Sequence, residues 1–319
     1  MKPTTTFFLA VVLLAAAAPA SEPWPPRTFT ACEPAPWDFV EERPASPRRA
    51  QQFRVLMVGD SWSWFMTNFS SMRDAFAANG YPDFLEKGDV TAINGSTASD
   101  WVAAGNLNLI TSELAANPSI DTVQLSLGGN DLLAGAPGNG WFLGMPTAQE
   151  EALLDAVQAD IQLVVDHCLA QRPDIEVLLI SYDYPNFDGA TGFLGFSFCQ
   201  DIFADTGQPT IAQTNAILLR LEQRKQAIAA ADPRLHYGSN VGWMQFGFGF
   251  PSQGIAPGVL VPPGDASRPS PREAIFSLIL RDCIHLNDAG YDIVAQNLFD
   301  TYYAARFAPA TSPSAFILH

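Results

Sequence analysis

Apolar residues fall along the chain in two patterns: short dense runs, and longer stretches where they recur at every third or fourth position. The runs Phe53 to Val58 (FRVLMV), Thr122 to Leu127 (TVQLSL) and Glu176 to Tyr182 (EVLLISY) read as buried strands. Asp89 to Asn94 is a candidate second strand, and Leu235 to Tyr237 a weaker one. The helical spacing is clearest over Thr147 to Gln171, where Leu153, Leu154, Val157, Ile161, Val164 and Val165 share a face. Helices are also expected over Trp62 to Asn79 with Gly80 at the C-cap, Ser99 to Ala116, Pro209 to Ala231 and, nearer the C-terminus, Asn287 to Ala305. Strands alternating with helices imply parallel pairing through right-handed crossovers, and hence a three-layer α/β/α sandwich with a central, mainly parallel sheet. In such sheets ligands collect at the carboxyl ends of the strands.

Three strand ends carry residues suited to chemistry. The first strand breaks at Gly59-Asp60-Ser61 ahead of a helix. A serine there has a backbone N–H with no intrahelical partner, and the helix dipole favours negative charge beside it. The same residues also suit a plain turn with Asp60 or Ser61 as N-cap. Gly95 follows the second strand and Gly128-Gly129-Asn130-Asp131 the third. A glycine exposes its N–H and an asparagine amide donates without charge, so the N–H groups of Ser61 and Gly95 with the Asn130 side chain form a candidate oxyanion hole. A serine nucleophile needs a base, and the chain has four histidines, His167, His236, His285 and His319. His285 stands just before the C-terminal helix, three positions after Asp282. On a tight loop that spacing lets the carboxylate bond Nδ1 and turn Nε2 toward the nucleophile, although it equally suits a structural helix-entry histidine.

Composition narrows the class. Residues 1–20 combine Lys2, an apolar run and Ala18-Pro19-Ala20, the pattern of a secretory signal peptide, so a secreted or periplasmic protein is expected. Residues 21–52 are proline-rich and read as an extended arm, 53–308 as one enzyme domain and 309–319 as a tail. No later stretch is apolar enough for stable membrane insertion. A net charge of -16 argues against nucleic acid as a partner. The four cysteines suggest two disulfides in an oxidising compartment. Cys168 with Cys199 would bracket one strand and its loop, and Cys32 with Cys283 would tie down the arm. The chain holds no CxxC, HExxH, phosphate loop or dinucleotide fingerprint, so neither metal nor cofactor is expected, and it lacks the G-x-S-x-G of α/β-hydrolases.

Gly59-Asp60-Ser61-Trp62, Gly95, Gly128-Gly129-Asn130-Asp131 and Asp282-Cys283-Ile284-His285-Leu286 resemble, in order and position, the conserved blocks of the SGNH hydrolases, the GDSL esterase and lipase family. The resemblance implies a flavodoxin-like five-stranded sheet, Ser61 as nucleophile, His285 as general base and Asp282 as its orienting acid, with oxyanion donors from Ser61, Gly95 and Asn130. It also implies that Trp62, where the family name has leucine, faces away from the chemistry. The expected activity is hydrolysis of carboxylic esters, with small-molecule, lipid or acylated-glycan esters as substrates. Two alternatives stay open: a carbohydrate O-acetyl esterase, and a secreted binding protein that keeps the fold without catalysis. Three aromatic-rich loops, Ala134 to Pro146, Asn186 to Phe203 and Gly238 to Gly258, either shape the substrate pocket or cover the core.

Overall fold

The computed structural model describes residues 52–133 and 140–307; the signal segment, Cys32, the arm before Gln52 and the tail after Phe307 lie outside them. Five strands, β1 (Gln52–Gly59), β2 (Phe84–Lys87), β3 (Thr122–Ser126), β4 (Glu176–Ile180) and β5 (Leu235–Gly238), form a parallel sheet in the order β2-β1-β3-β4-β5. This is the flavodoxin-like order, which reverses direction between β1 and β3. Val55 to Val58 are fully buried, as are Val123, Leu125, Val177, Leu178 and Ile180. Strands covered on both faces have no reason to alternate, which is why they read as dense apolar runs.

Helices cover the sheet in two layers. Helices α1 (Ser61–Phe69) and α2 (Ser71–Ala78) follow β1, and α3 (Ala98–Trp101) and α4 (Ala104–Ala116) follow β2. Then come α5 (Gly129–Leu133), α6 (Thr147–Gln171), α7 (Ser197–Asp205), α8 (Ile211–Ala229), α9 (Trp243–Phe248) and α10 (Asp288–Leu298). Helices α1, α2 and α10 pack on one another, while α6 packs against both α4 and α8. The result is the three-layer α/β/α sandwich.

Local physics moves several boundaries. The expected helix 62–79 divides at Ser70, whose φ of 63° is left-handed. The second strand is Phe84–Lys87 rather than 89–94, where only Ala92 bridges to Gly59. Strand 84–87 borders β1 alone and is half-buried throughout, so its pattern lacks the dense run of an inner strand. The hairpin of β6 (Ile275–Ser277) and β7 (Arg281–Leu286) carries Asp282 and His285 into α10, which Asn287 caps by accepting from Gly290 N–H at 2.9 Å.

The cysteine pairing differs from both expectations: Cys199 of α7 is bonded to Cys283 of β7, which excludes Cys168 with Cys199 and Cys32 with Cys283. Cys168 is a free thiol on the buried face of α6, and burial pushes it up to about 12. Backbone bonds from Arg281 N–H to Leu194 O (2.8 Å) and from Asn186 N–H to Cys283 O (2.7 Å) join the same two segments. The loop after β4 is thereby fixed against β7.

Candidate active site

Gly59 ends β1 at a φ of 133°, and a Cβ there would lie 2.0 Å from Ser126 O, so only glycine lets β1 turn this close to β3. Asp60 then caps α1. Its Oδ1 accepts from Trp62 N–H and from Ser126 Oγ, both at 3.0 Å, and its Oδ2 accepts from the Tyr182 hydroxyl. The alternative of Ser61 as N-cap is excluded: Ser61 is the first helical residue, buried apart from 3% of its surface, with its N–H free of intrahelical bonding.

The other donors gather around it. Ile93 N–H bonds Gly59 O at 2.7 Å and starts the turn that presents Gly95 at a φ of 79°. The Gly95 N–H makes no hydrogen bond among the described residues. Asn130 donates from Nδ2 to Ser96 O at 2.8 Å, which orients its amide and leaves one hydrogen unspent. Beside it, Gly129 N–H donates to the Tyr182 hydroxyl at 3.0 Å, and a Cβ at Gly129 would sit 2.8 Å from that ring.

From the opposite side β7 contributes Asp282 and His285. Asp282 Oδ2 lies 2.7 Å from His285 Nδ1, and Oδ1 accepts the N–H groups of Cys283, Ile284 and His285 at 2.6, 2.8 and 3.0 Å. Burial pushes this carboxyl up, but the bond and charge of His285 with the backbone donors outweigh it and hold Asp282 below the usual carboxylate range. His285 Nε2 is buried without a partner, and the Phe65 and Phe198 rings flank the imidazole with centroids at 4.8 and 6.1 Å. The remaining described histidines are otherwise engaged: His167 bonds Thr111 Oγ1 at 2.9 Å, and His236 lies 3.0 Å from Glu176.

Ser61, Gly95, Asn130 and His285 line one cavity of about 420 Å³, whose far wall is Phe198, Ile202, Asp201 and Asp205 of α7. Ser61 and Asn130 also border a second, apolar recess of about 30 Å³ walled by Trp62, Leu133, Pro185, Leu218 and Ile284. Trp62 therefore faces this recess rather than away from it, and its indole N–H also bonds Ile284 O at 3.2 Å, tying α1 to β7. Of the three aromatic loops, 186–203 supplies the cavity wall through Phe198. In the first, residues 134–139 lie outside the described set, while Trp141 is buried with its indole on Glu150 at 2.8 Å. In the third, Met244 and Phe250 are buried and no residue borders either cavity.

Beneath Asp60 lies a charged network that sequence reasoning missed. Lys225 and Glu222 of α8 are each 1% exposed and paired at 3.0 Å; the ammonium also donates to Ile180 O and lies 4.2 Å from the Tyr182 ring centroid. The Tyr237 hydroxyl donates to the other Glu222 oxygen at 3.1 Å. Burial pushes Asp60 up, while the Tyr182 hydroxyl, the Trp62 N–H and the Lys225 charge act against it. A signal did exist: Leu218, Leu221, Lys225 and Ile228 fall on one helical stripe, with a cation at a core position. Among the described residues, the His, Cys, Asp and Glu side chains close enough to share a metal are Cys199, Cys283 and Asp282, whose thiols are joined and whose carboxylate is occupied.

No family model matches this chain, and no curated protein sequence matches it significantly. Among solved structures it is similar to a carbohydrate esterase family 3 protein from Talaromyces cellulolyticus, at 11% identity over 80% of this chain and 98% of that one, TM-score 0.45. It is also similar to the Clostridium thermocellum family 3 carbohydrate esterase (15%, 78% and 94%, TM-score 0.41). A third is a carbohydrate acetylesterase family member from Sinorhizobium meliloti (15%, 77% and 95%, TM-score 0.39). At these identities and scores the likenesses bear on neither the site nor its chemistry.

Proposed function

We propose that the protein is an exported serine hydrolase of carboxylic esters, with Ser61 as nucleophile, His285 as general base and Asp282 as the residue that orients it. The observation that carries this reading is the shared cavity: a serine at a helix N-terminus, an acid-bonded imidazole with a free Nε2, and two unspent N–H donors line one space. As Ser61 Oγ attacks the ester carbonyl, Nε2 takes its proton, and the oxyanion rests on the N–H groups of Ser61, Gly95 and Asn130. Collapse returns the proton to the leaving alcohol, and water, activated by the same imidazole, frees the acid. The Cys199–Cys283 bond fits an oxidising compartment, in keeping with the signal-like residues 1–20.

The two spaces differ in what they admit. One water occupies about 10–15 Å³ of such space, so the apolar recess of about 30 Å³ suits an acyl group of about acetyl size. The larger space, edged by Asn94, Asp201 and Asp205, suits an alcohol rich in hydroxyl groups, which donate to carboxylates. Within the ester-hydrolase reading this favours a short acyl ester of a polyhydroxylated alcohol, such as an acetylated sugar, over a long-chain lipid ester.

A p-nitrophenyl ester series tests both levels. Acetate should be turned over with kcat/KM at least tenfold above octanoate, and Ser61→Ala should lose activity on both and lose labelling by a fluorophosphonate. Full activity in Ser61→Ala would remove Ser61 as the nucleophile, whereas absence of both turnover and labelling in the native protein would leave the non-catalytic binding protein as the better reading. A preference for octanoate would overturn the short-acyl assignment alone.

A further inference from the structure

Among the described residues, ten arginines and two lysines are placed, and in a chain with 33 acidic side chains nearly all find a carboxylate. Arg54, Arg73, Arg172, Arg220, Arg224, Arg234, Arg268 and Arg306, with Lys87 and Lys225, each have one within 4.0 Å. Arg272 and Arg281 have none among the described residues, and these two lie together. A Cβ on Gly189 would sit 2.9 Å from Arg281 Nη1 and 3.3 Å from Arg272 Nη2, so both guanidinium groups bear on one backbone point. Gly189 has a φ of 74° there, a conformation that keeps a side chain out of the space. Like charges brought together in an acid-rich surface, neither with a carboxylate within ion-pair distance among the described residues, mark a place for an anion.

The surroundings agree. Arg272 and Arg281 line one cavity of about 180 Å³, distinct from the two beside Ser61, with Asn186, Ser277 and Phe276. The acids on its wall do not fill it. Asp282 has both oxygens committed, to three backbone N–H groups and to His285, and Asp188 comes no nearer to Arg272 than its backbone carbonyl at 3.4 Å. We propose that Arg272 and Arg281 form a binding site for a compact oxyanion, a carboxylate or phosphate group, in the cavity that shares Asp282 as a wall with the site of Ser61. Two planar guanidinium forks are matched to two-oxygen recognition of either group, and the site takes it without any part in bond breaking.

Thermal unfolding of the intact, disulfide-bonded protein in inorganic phosphate and in acetate, against chloride at equal ionic strength, tests this. A ligand that binds only the folded form raises Tm saturably, and at least one of the two anions should do so. Arg272→Gln and Arg281→Gln should each weaken that anion at least tenfold, while Arg268→Gln, at an arginine already paired with Asp265, leaves it unchanged. Arg272 is exposed on a short surface turn, so its variant is expected to fold whether or not the Arg281 variant does. The source of the anion follows from a second arm: if esters bearing a carboxylate on the alcohol side show a KM advantage over neutral ones that Arg272→Gln removes, the anion belongs to the substrate. If KM is indifferent while phosphate or acetate binds, it is a separate ligand. No saturable shift with either anion, or equal shifts in native protein and both variants, would overturn the site. Loss of esterase activity in Ser61→Ala leaves anion binding untouched, which separates this inference from the proposed reaction.

Discussion

Asn130 does two things with one amide: one hydrogen holds Ser96 O at 2.8 Å and the other opens into the cavity beside Ser61. In the proposed reaction, removing it takes away a donor to the oxyanion but leaves Ser61 and His285 in place. In Asn130→Ala we expect kcat to fall by about 10² to 10³, equivalent to roughly 2.7–4 kcal/mol in the barrier, with KM changing far less. Steady-state kinetics on an acetate ester checks this; a fall confined to KM would remove Asn130 from the oxyanion hole. At this scale Ser61, Asp282, His285 and Asn130 were legible as candidates because each sits in a turn with a local signature, a cap, a glycine pair or an i to i+3 acid. Tyr182 was not. Nothing near it in sequence announces that its hydroxyl reaches Asp60, 122 positions away.

Helix α7 and strand β7 act as one unit because Cys199–Cys283 joins them across 84 positions. The first brings Phe198 and the acidic rim to the cavity, and the second brings His285, two residues beyond Cys283. Replacing both cysteines with alanine should cost about 2–4 kcal/mol of stability, the usual range for a bond closing a long loop. It should also lower kcat/KM at temperatures well below unfolding, because the cavity wall and the proposed base would no longer be held in register. Urea unfolding with parallel assays of native and double-variant protein measures both, and an unchanged kcat/KM would mean that the backbone bonds alone suffice. The other four strands of the sheet and the long helices were readable from their apolar pattern, while the second strand, half-buried at the sheet edge, was not. The short α5, α7 and α9 were not, since a helix of one or two turns is set by tertiary contacts more than by its own pattern.

Stability of the whole molecule should depend on pH through acids the fold has buried. Asp183 accepts the N–H groups of Gly242 and Met244, both at 2.7 Å, yet burial pushes its carboxyl from 3.8 up to about 6. A folded-state value above the unfolded one means the folded protein holds that proton more tightly. The contribution is complete below about pH 4 and is lost as the pH rises through about 6, and it amounts to on the order of 3 kcal/mol. Asp183→Asn cannot titrate there, so the unfolding free energy of the variant relative to the native protein should rise by that order between pH 4 and pH 7. Urea midpoints at the two values test it, and a difference that stays flat would show that Asp183 does not titrate in this window.

By itself the sequence determined the alternation of strands and helices, the parallel three-layer architecture and the residues that stand at the strand ends. Burial on both faces, turn geometry and capping are written within a few neighbouring positions. Only the tertiary structure decided which cysteines join, that the second strand lies at Phe84–Lys87, how large the recess beside Ser61 is, and that Lys225 lies under Tyr182 while Arg272 and Arg281 are left without acids. Those are matters of distance between segments far apart in the chain, and a local pattern carries no record of which distant segment it will meet.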